Sequence, residues 1–102
     1  MNDDRPQFLI TLHLRPPGTI DSLTEAEAQL AGAHFEYTKS LLEQGHLIYA
    51  GRTQDAEPVG LIALRAADEQ EARALAEADP GIKGGLFIWD LRPYTVALIA
   101  QN

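Results

Sequence analysis

Phe8-Leu9-Ile10-Thr11-Leu12-His13-Leu14 is a short apolar run, and Arg15-Pro16-Pro17-Gly18 directly behind it supplies turn residues. A run of this length with such a boundary predicts a buried strand. Side chains alternate along a strand, so Phe8, Ile10, Leu12 and Leu14 point one way while Leu9, Thr11 and His13 point the other. Large apolar groups therefore stand on both faces of the sheet that this strand joins.

Working outward, Asp21-Ser22-Leu23-Thr24 offers a helix start, with Thr24 and Glu27 or Ser22 and Glu25 as a capping box. The helix extends to about Gln44, and Gly45 stops it. Leu30, His34, Tyr37 and Leu41 follow one another at steps of three and four and form its inner stripe. Residues 46–53, containing Leu47-Ile48-Tyr49-Ala50-Gly51, predict a second strand. Gln54-Asp55-Ala56-Glu57-Pro58 predicts a turn and residues 59–64 a third strand, close enough to pair as an antiparallel hairpin. Asp68 with Glu71 caps a second helix whose inner side carries Ala72, Leu75 and Ala76. Pro80 bars its continuation and turns Asp79 away from helical geometry. Gly81, Gly84 and Gly85 predict a loop, and residues 86–91 a fourth strand stopped near Arg92-Pro93. The apolar run 95–100 reads as an extra edge strand or as an arm on a neighbouring molecule.

The order β-α-β-β-α-β is the α+β, ferredoxin-like arrangement: a four-stranded antiparallel sheet with two helices on one face. Two helices cover one face only. In the fourth strand Phe87, Trp89 and Leu91 oppose Leu86 and Ile88, so the other face also carries apolar groups. Such a patch marks an interaction surface, and the expected partner is a second copy, packed sheet against sheet about a two-fold axis.

The chain has 102 residues, which suits one domain across 1–102, with a core over about 8–95 and a C-terminal strand or arm beyond. Hydrophobic residues make up 45%, too many for a disordered chain. No apolar run reaches the roughly 18 residues of a membrane span, and the acidic start lacks the pattern of a secretory signal. With no cysteine, thiolate chemistry and disulfides are excluded, and a cytoplasmic location is expected. A net charge of -7 with scattered basic residues argues against nucleic acid. His13, His34 and His46 show no metal-ligand spacing, and the glycines form neither a dinucleotide fingerprint nor a P-loop, so neither metal nor cofactor is expected. There is no Gly-x-Ser-x-Gly nucleophile context.

His34 is the residue that asks for an explanation. A titratable ring on a core-facing stripe needs a partner, and Asp79 is a candidate. The alternative is a core histidine bonded to a backbone carbonyl, with Asp79 as an ordinary turn residue before Pro80.

Several short motifs carry a resemblance. His34-Phe35-Glu36-Tyr37 on the first helix resembles the His-Leu-x-Tyr of the YciI-like (YCII-related) domain family. Ala50-Gly51 resembles its Ala-Gly-Pro, with Gly60 at the glycine that follows after a turn. Asp79-Pro80 with Gly85-Leu86-Phe87 resembles its Asp-Pro and Gly-Leu-Phe, and Arg92-Pro93-Tyr94 its closing Arg-Pro-aromatic. The match spans about residues 8–95. Where relatives often carry Arg one turn before the helix His, this chain has Ala31; Arg52 replaces the Pro of Ala-Gly-Pro, and Gly81 replaces a common aromatic. The resemblance implies the fold of dimeric α+β barrel proteins and a His/Asp active centre. One branch of the family is implicated in dehydrochlorination of chlorinated hydroxyquinols, and the wider barrel group includes muconolactone isomerases.

The expected function is acid–base chemistry on a small oxygen-rich or anionic metabolite, by isomerisation or elimination. His34 is the general base or acid, and Asp79 orients it. Arg52 is the candidate for holding an anionic group, with Gly51, Tyr37, Phe87, Tyr94 and His13 as further substrate-binding candidates. The other reading is a non-catalytic module that binds a small molecule in the same pocket.

Overall fold

The computed structural model describes residues 3–15 and 22–100. Strand β1 (Gln7–Leu14) leads to helix α1 (Glu25–Glu43), the hairpin strands β2 (Leu47–Arg52) and β3 (Val59–Arg65), helix α2 (Glu69–Glu77), the single-turn helix α3 (Pro80–Lys83) and strand β4 (Phe87–Tyr94). All pairings are antiparallel and the sheet order is β2-β3-β1-β4, the ferredoxin-like order with β1 and β3 at its centre.

Local chemistry sets the helix ends. Of the two candidate boxes, Thr24 and Glu27 form the one that caps α1: the Thr24 hydroxyl accepts from Glu27 N and Glu27 Oε1 accepts from Thr24 N. At its far end Gly45 takes φ 85, which lets Gly45 N bond to Leu42 O and His46 N to Leu41 O. This double bond pattern closes a helix on a left-handed glycine. Asp68 caps α2 by accepting from Glu71 N, and Glu71 returns a bond to Ala67 N.

The stretch after Pro80 departs from the expected loop. Asp79 caps α3 through Gly81 N, Pro80 stands at the first position with its ring-fixed φ, and Gly85 at φ 78 ends the turn. Leu86 N then bonds to Gly81 O and Gly85 N to Ile82 O, the same closure that ends α1. Glycines that read as a loop are thus the cap and the clearance of a short helix.

Two further expectations are corrected. Leu86 precedes β4, is buried, and does not lie on the uncovered face. Residues 95–100 form no strand. Tyr94 pairs with Gln7, the first residue of β1, and the next residue in register is Pro6, which has no N–H to continue the ladder. Leu98 is 94% exposed.

The covered face holds the core. Phe8, Ile10 and Leu12 of β1 pack with Ile62 and Leu64 of β3 and with Ala72 and Ala76 of α2, while Trp89 and Leu91 of β4 close the edge. The uncovered face follows from the register. Leu9 pairs with Ala63 and Arg92, Thr11 with Leu61 and Asp90, and His13 with Val59 and Ile88. It mixes apolar side chains with an Asp90 that accepts from the Thr11 hydroxyl. Among the described residues no helix is long and apolar enough to cross a membrane.

Candidate functional site

The inner stripe of α1 lies against α3, and small residues make this approach possible. A Cβ on Gly84 would stand 2.6 Å from Leu30 Cδ2. One on Gly81 would stand 2.6 Å from Phe87 Cε2 and 3.1 Å from His34 Cβ. Glycine at 81 therefore lets three elements meet: α3, the His34 turn of α1, and the first residue of β4.

At that junction His34 Nδ1 and Asp79 Oδ2 are 2.6 Å apart. The second carboxylate oxygen, Oδ1, accepts from Gly81 N at 2.8 Å. Asp79 is 2% exposed, so its charge is held by these two donors rather than by water. A carboxylate only accepts, so Nδ1 carries a proton toward Asp79, and in the neutral ring the lone pair is then on Nε2. The Phe87 ring meets the imidazole edge to face, with centroids 4.9 Å apart at 66°. Ring orientation and tautomer are thus both fixed.

The free side of His34 lines a cavity of about 290 Å³ between α1 and the sheet. Leu12 and Ile62 form its floor, Ala31 and Phe35 belong to its helix wall, and Arg52 closes the β2 end. Register confirms that Arg52 faces α1: it pairs with Gly60, and Gly60 pairs with Leu12 of the covered face. Among the described residues its guanidinium donates only a long bond to Thr53 O, at 3.4 Å. Gly51 and Phe87 also line the cavity.

The remaining candidates lie elsewhere. Tyr37 does not line the cavity; its hydroxyl donates to Leu75 O at 2.7 Å and ties α1 to α2. Burial, and then the charge of Asp79, push its phenol above the ordinary tyrosine range. Tyr94 sits on the uncovered face with its hydroxyl 2.8 Å from that of Tyr49. His13 is exposed on the same face, opposite Ile88. His46 lies near Arg5 and the Arg65 carbonyl, remote in sequence and partners from the other two histidines. Among the described residues no group of three or more His, Asp or Glu could hold a metal ion.

Sequence reasoning passed over Thr38, whose hydroxyl donates to His34 O at 2.9 Å and which borders the cavity. Ala31 and Thr38 stand three before and four after His34, so helical spacing alone carried that signal. Pro58 and Leu86 reach the cavity through tertiary packing, for which the sequence offers no local mark.

Comparison with known proteins places this geometry in a context. No curated protein matches the chain. Among solved structures it is similar to 5-chloro-2-hydroxyhydroquinone dehydrochlorinase (TftG) from Burkholderia phenoliruptrix AC1100, determined in complex with 2,5-dihydroxybenzoquinone. The TM-score is 0.68 and the identity 23%, over 87% of this chain and 93% of that one. It is also similar to the de novo designed protein Ferredog-Diesel, with a TM-score of 0.55 and 16% identity over 90% of this chain and 89% of that one. Likeness at these identities shows the fold. A model of the YCII-related domain matches residues 3–93, so the chain belongs to the YCII-related domain family.

Proposed function

We propose that this member of the YCII-related family is a small enzyme that moves a proton on a small metabolite, with His34 as the catalytic residue and Asp79 as its positioning carboxylate. The observation that carries the reading is the short, buried Asp79–His34 contact at the wall of a cavity. Nε2 takes a proton from an acidic carbon of the substrate, and the imidazolium that forms is stabilised by the Asp79 charge behind it. Return of the proton at another carbon completes an isomerisation; departure of a leaving group from the neighbouring carbon completes an elimination. Arg52 stands where it can hold an anionic group of the substrate. The dehydrochlorinase activity named for the similar structure belongs to the same broad class of elimination chemistry.

In this reading the protein works as a homodimer through the uncovered sheet face. Leu9, Leu61 and the half-exposed Ile88 support it, since a second copy would remove them from water.

The test is turnover and solvent-deuterium incorporation, followed by NMR on a panel of lactones, enones and halogenated quinols. His34→Gln and Asp79→Asn are each expected to lower the rate by about 10²–10⁴-fold with the fold retained. Saturable binding without turnover would move the protein to the binding-module reading, and unchanged turnover in His34→Gln would remove His34 from the chemistry.

A further inference from the structure

The polar groups of the cavity are few, and most are already engaged. Among the described lining residues only His34, Thr38 and Arg52 carry polar side chains. Thr38 spends its proton on the His34 carbonyl, and Nδ1 of His34 is spent on Asp79. What these side chains leave for a ligand is Nε2 of His34, the Arg52 guanidinium and the acceptor lone pairs of the Thr38 hydroxyl.

The charge around the cavity runs against that of the whole chain. Fifteen Asp and Glu against eight Lys and Arg leave the protein at -7, yet none of the described lining residues is acidic. The Asp79 carboxylate is buried and is taken up by His34 and Gly81 N. Among the described residues no carboxylate pairs with Arg52. An arginine that no described carboxylate pairs with, in an acidic protein and at the end of an apolar cavity, matches a ligand that brings one negative charge. Ala50, two positions before Arg52 on the same face, pairs with Ile62 and keeps that part of β2 low. There is room for a ligand to lie along the strand.

Resting on the reading of this site given above, we propose that it takes a compact monocarboxylate with an apolar body. The carboxylate sits on Arg52, and the body lies across Leu12, Ile62 and Phe87 toward His34. The cavity, at about 290 Å³, corresponds to roughly ten water molecules, so the body is a single ring or a short branched chain. Hydroxyl-rich acids fit poorly, because the described lining is apolar apart from His34, Thr38 and Arg52, which are too few to partner several buried hydroxyls. A second carboxylate would find no second cation. The oxygen-rich ligand left open by the sequence is thereby set aside in favour of the anionic one.

The experiment is a set of NMR titrations of the ¹⁵N-labelled full chain with benzoate, benzamide, gluconate and phthalate. Benzoate is expected to saturate with shifts at Phe35, Thr38, Ala50 and Gly51. Its neutral isostere benzamide, and gluconate and phthalate, are each expected to bind about tenfold or more weakly, the factor a charge-assisted bidentate contact supplies. Arg52→Gln is expected to abolish the preference for benzoate over benzamide, and Arg52→Lys to keep part of it. Arg52 is exposed, so these variants fold. Equal binding of benzoate and benzamide, an unchanged preference in Arg52→Gln, or no saturable binding of benzoate would overturn the carboxylate assignment. Gluconate equal to benzoate would overturn the apolar body. Benzoate binding that follows Arg52 in a protein with no turnover leaves this proposal standing while the acid–base reading falls.

Discussion

Two side-chain pairs tie the first half of the chain to the second, each across 45 positions: His34 with Asp79 on the covered side of the sheet, and Tyr49 with Tyr94 on the uncovered side. Their lengths are alike, at 2.6 and 2.8 Å. Their logic differs. Either tyrosine can donate, so the proton has no fixed direction, and neither group is charged. In the other pair the carboxylate can only accept, its second oxygen is fixed by Gly81 N, and the imidazole, which borders a cavity, keeps Nε2 outside the pair. An asymmetric pair in a dry setting stores a direction for proton transfer; a symmetric pair at a surface stores only a contact.

The sharpest way to break that comparison is to delete one partner from each pair. Asp79→Ala removes the cap of α3 and leaves a partly buried imidazole N–H without its acceptor. The expected loss is about 2–4 kcal/mol, read as a lowered urea midpoint at neutral pH. Asp79→Asn keeps a capping oxygen and loses less. Tyr94→Phe leaves only a half-exposed phenol to be rehydrated and is expected to cost under about 1 kcal/mol. Equal losses for Asp79→Ala and Tyr94→Phe would mean that the covered pair is no more built than the exposed one.

How much of this was legible in the sequence depends on the range of each interaction. The Thr24–Glu27 box, the Gly45 stop, the hairpin and the Asp68 cap are local, and their residues announce them. His34 was visible because helical periodicity turns it inward, and Asp79 because a histidine so placed needs a partner. Helix α3 was hidden because Pro and three glycines within a few residues carry the same signature as a loop; only the closeness of Leu30, His34 and Phe87 shows why those glycines are there. Tyr37 was placed in the pocket on the strength of its spacing from His34. One helical turn along α1, however, the neighbour is α2, and its hydroxyl goes to Leu75 O. His13 stands on the face that alternation along β1 assigns to it, and Tyr94 shares that face; register with partners far away in sequence is what separates both from the cavity.

A second way to sharpen the contrast tests the uncovered face as a dimer surface. Ile88 is 46% exposed and stands opposite His13. Ile88→Glu places a charge in the middle of the proposed contact and is expected to raise the dimer dissociation constant at least about tenfold, read by sedimentation velocity over a dilution series. The cavity lies on the other side of the sheet, so benzoate shifts at Thr38 are expected to survive. A wild-type chain that sediments as a monomer at all concentrations would remove the dimer from the account.

The smallest expected effect separates the two faces by alkali. The hydrogen bond with Tyr94 raises the Tyr49 phenol above its ordinary value near 10.0, with burial and the charge of Tyr94 adding to the shift. Tyr37 is also raised, first by burial and then by Asp79. A folded-state value above the unfolded one means that each phenol contributes stability in full below about pH 10 and loses it as pH rises through the folded value. Because Tyr49 lies near the surface, solvent screening holds its share to a few tenths of a kcal/mol. The fall in urea midpoint between pH 9 and pH 11 is expected to be largest in the wild type, slightly smaller in Tyr94→Phe, and smaller again in Tyr37→Phe, whose phenol senses the buried carboxylate. A Tyr37→Phe protein that loses as much stability over that interval as the wild type would show that neither burial nor the Asp79 charge holds the Tyr37 phenol up.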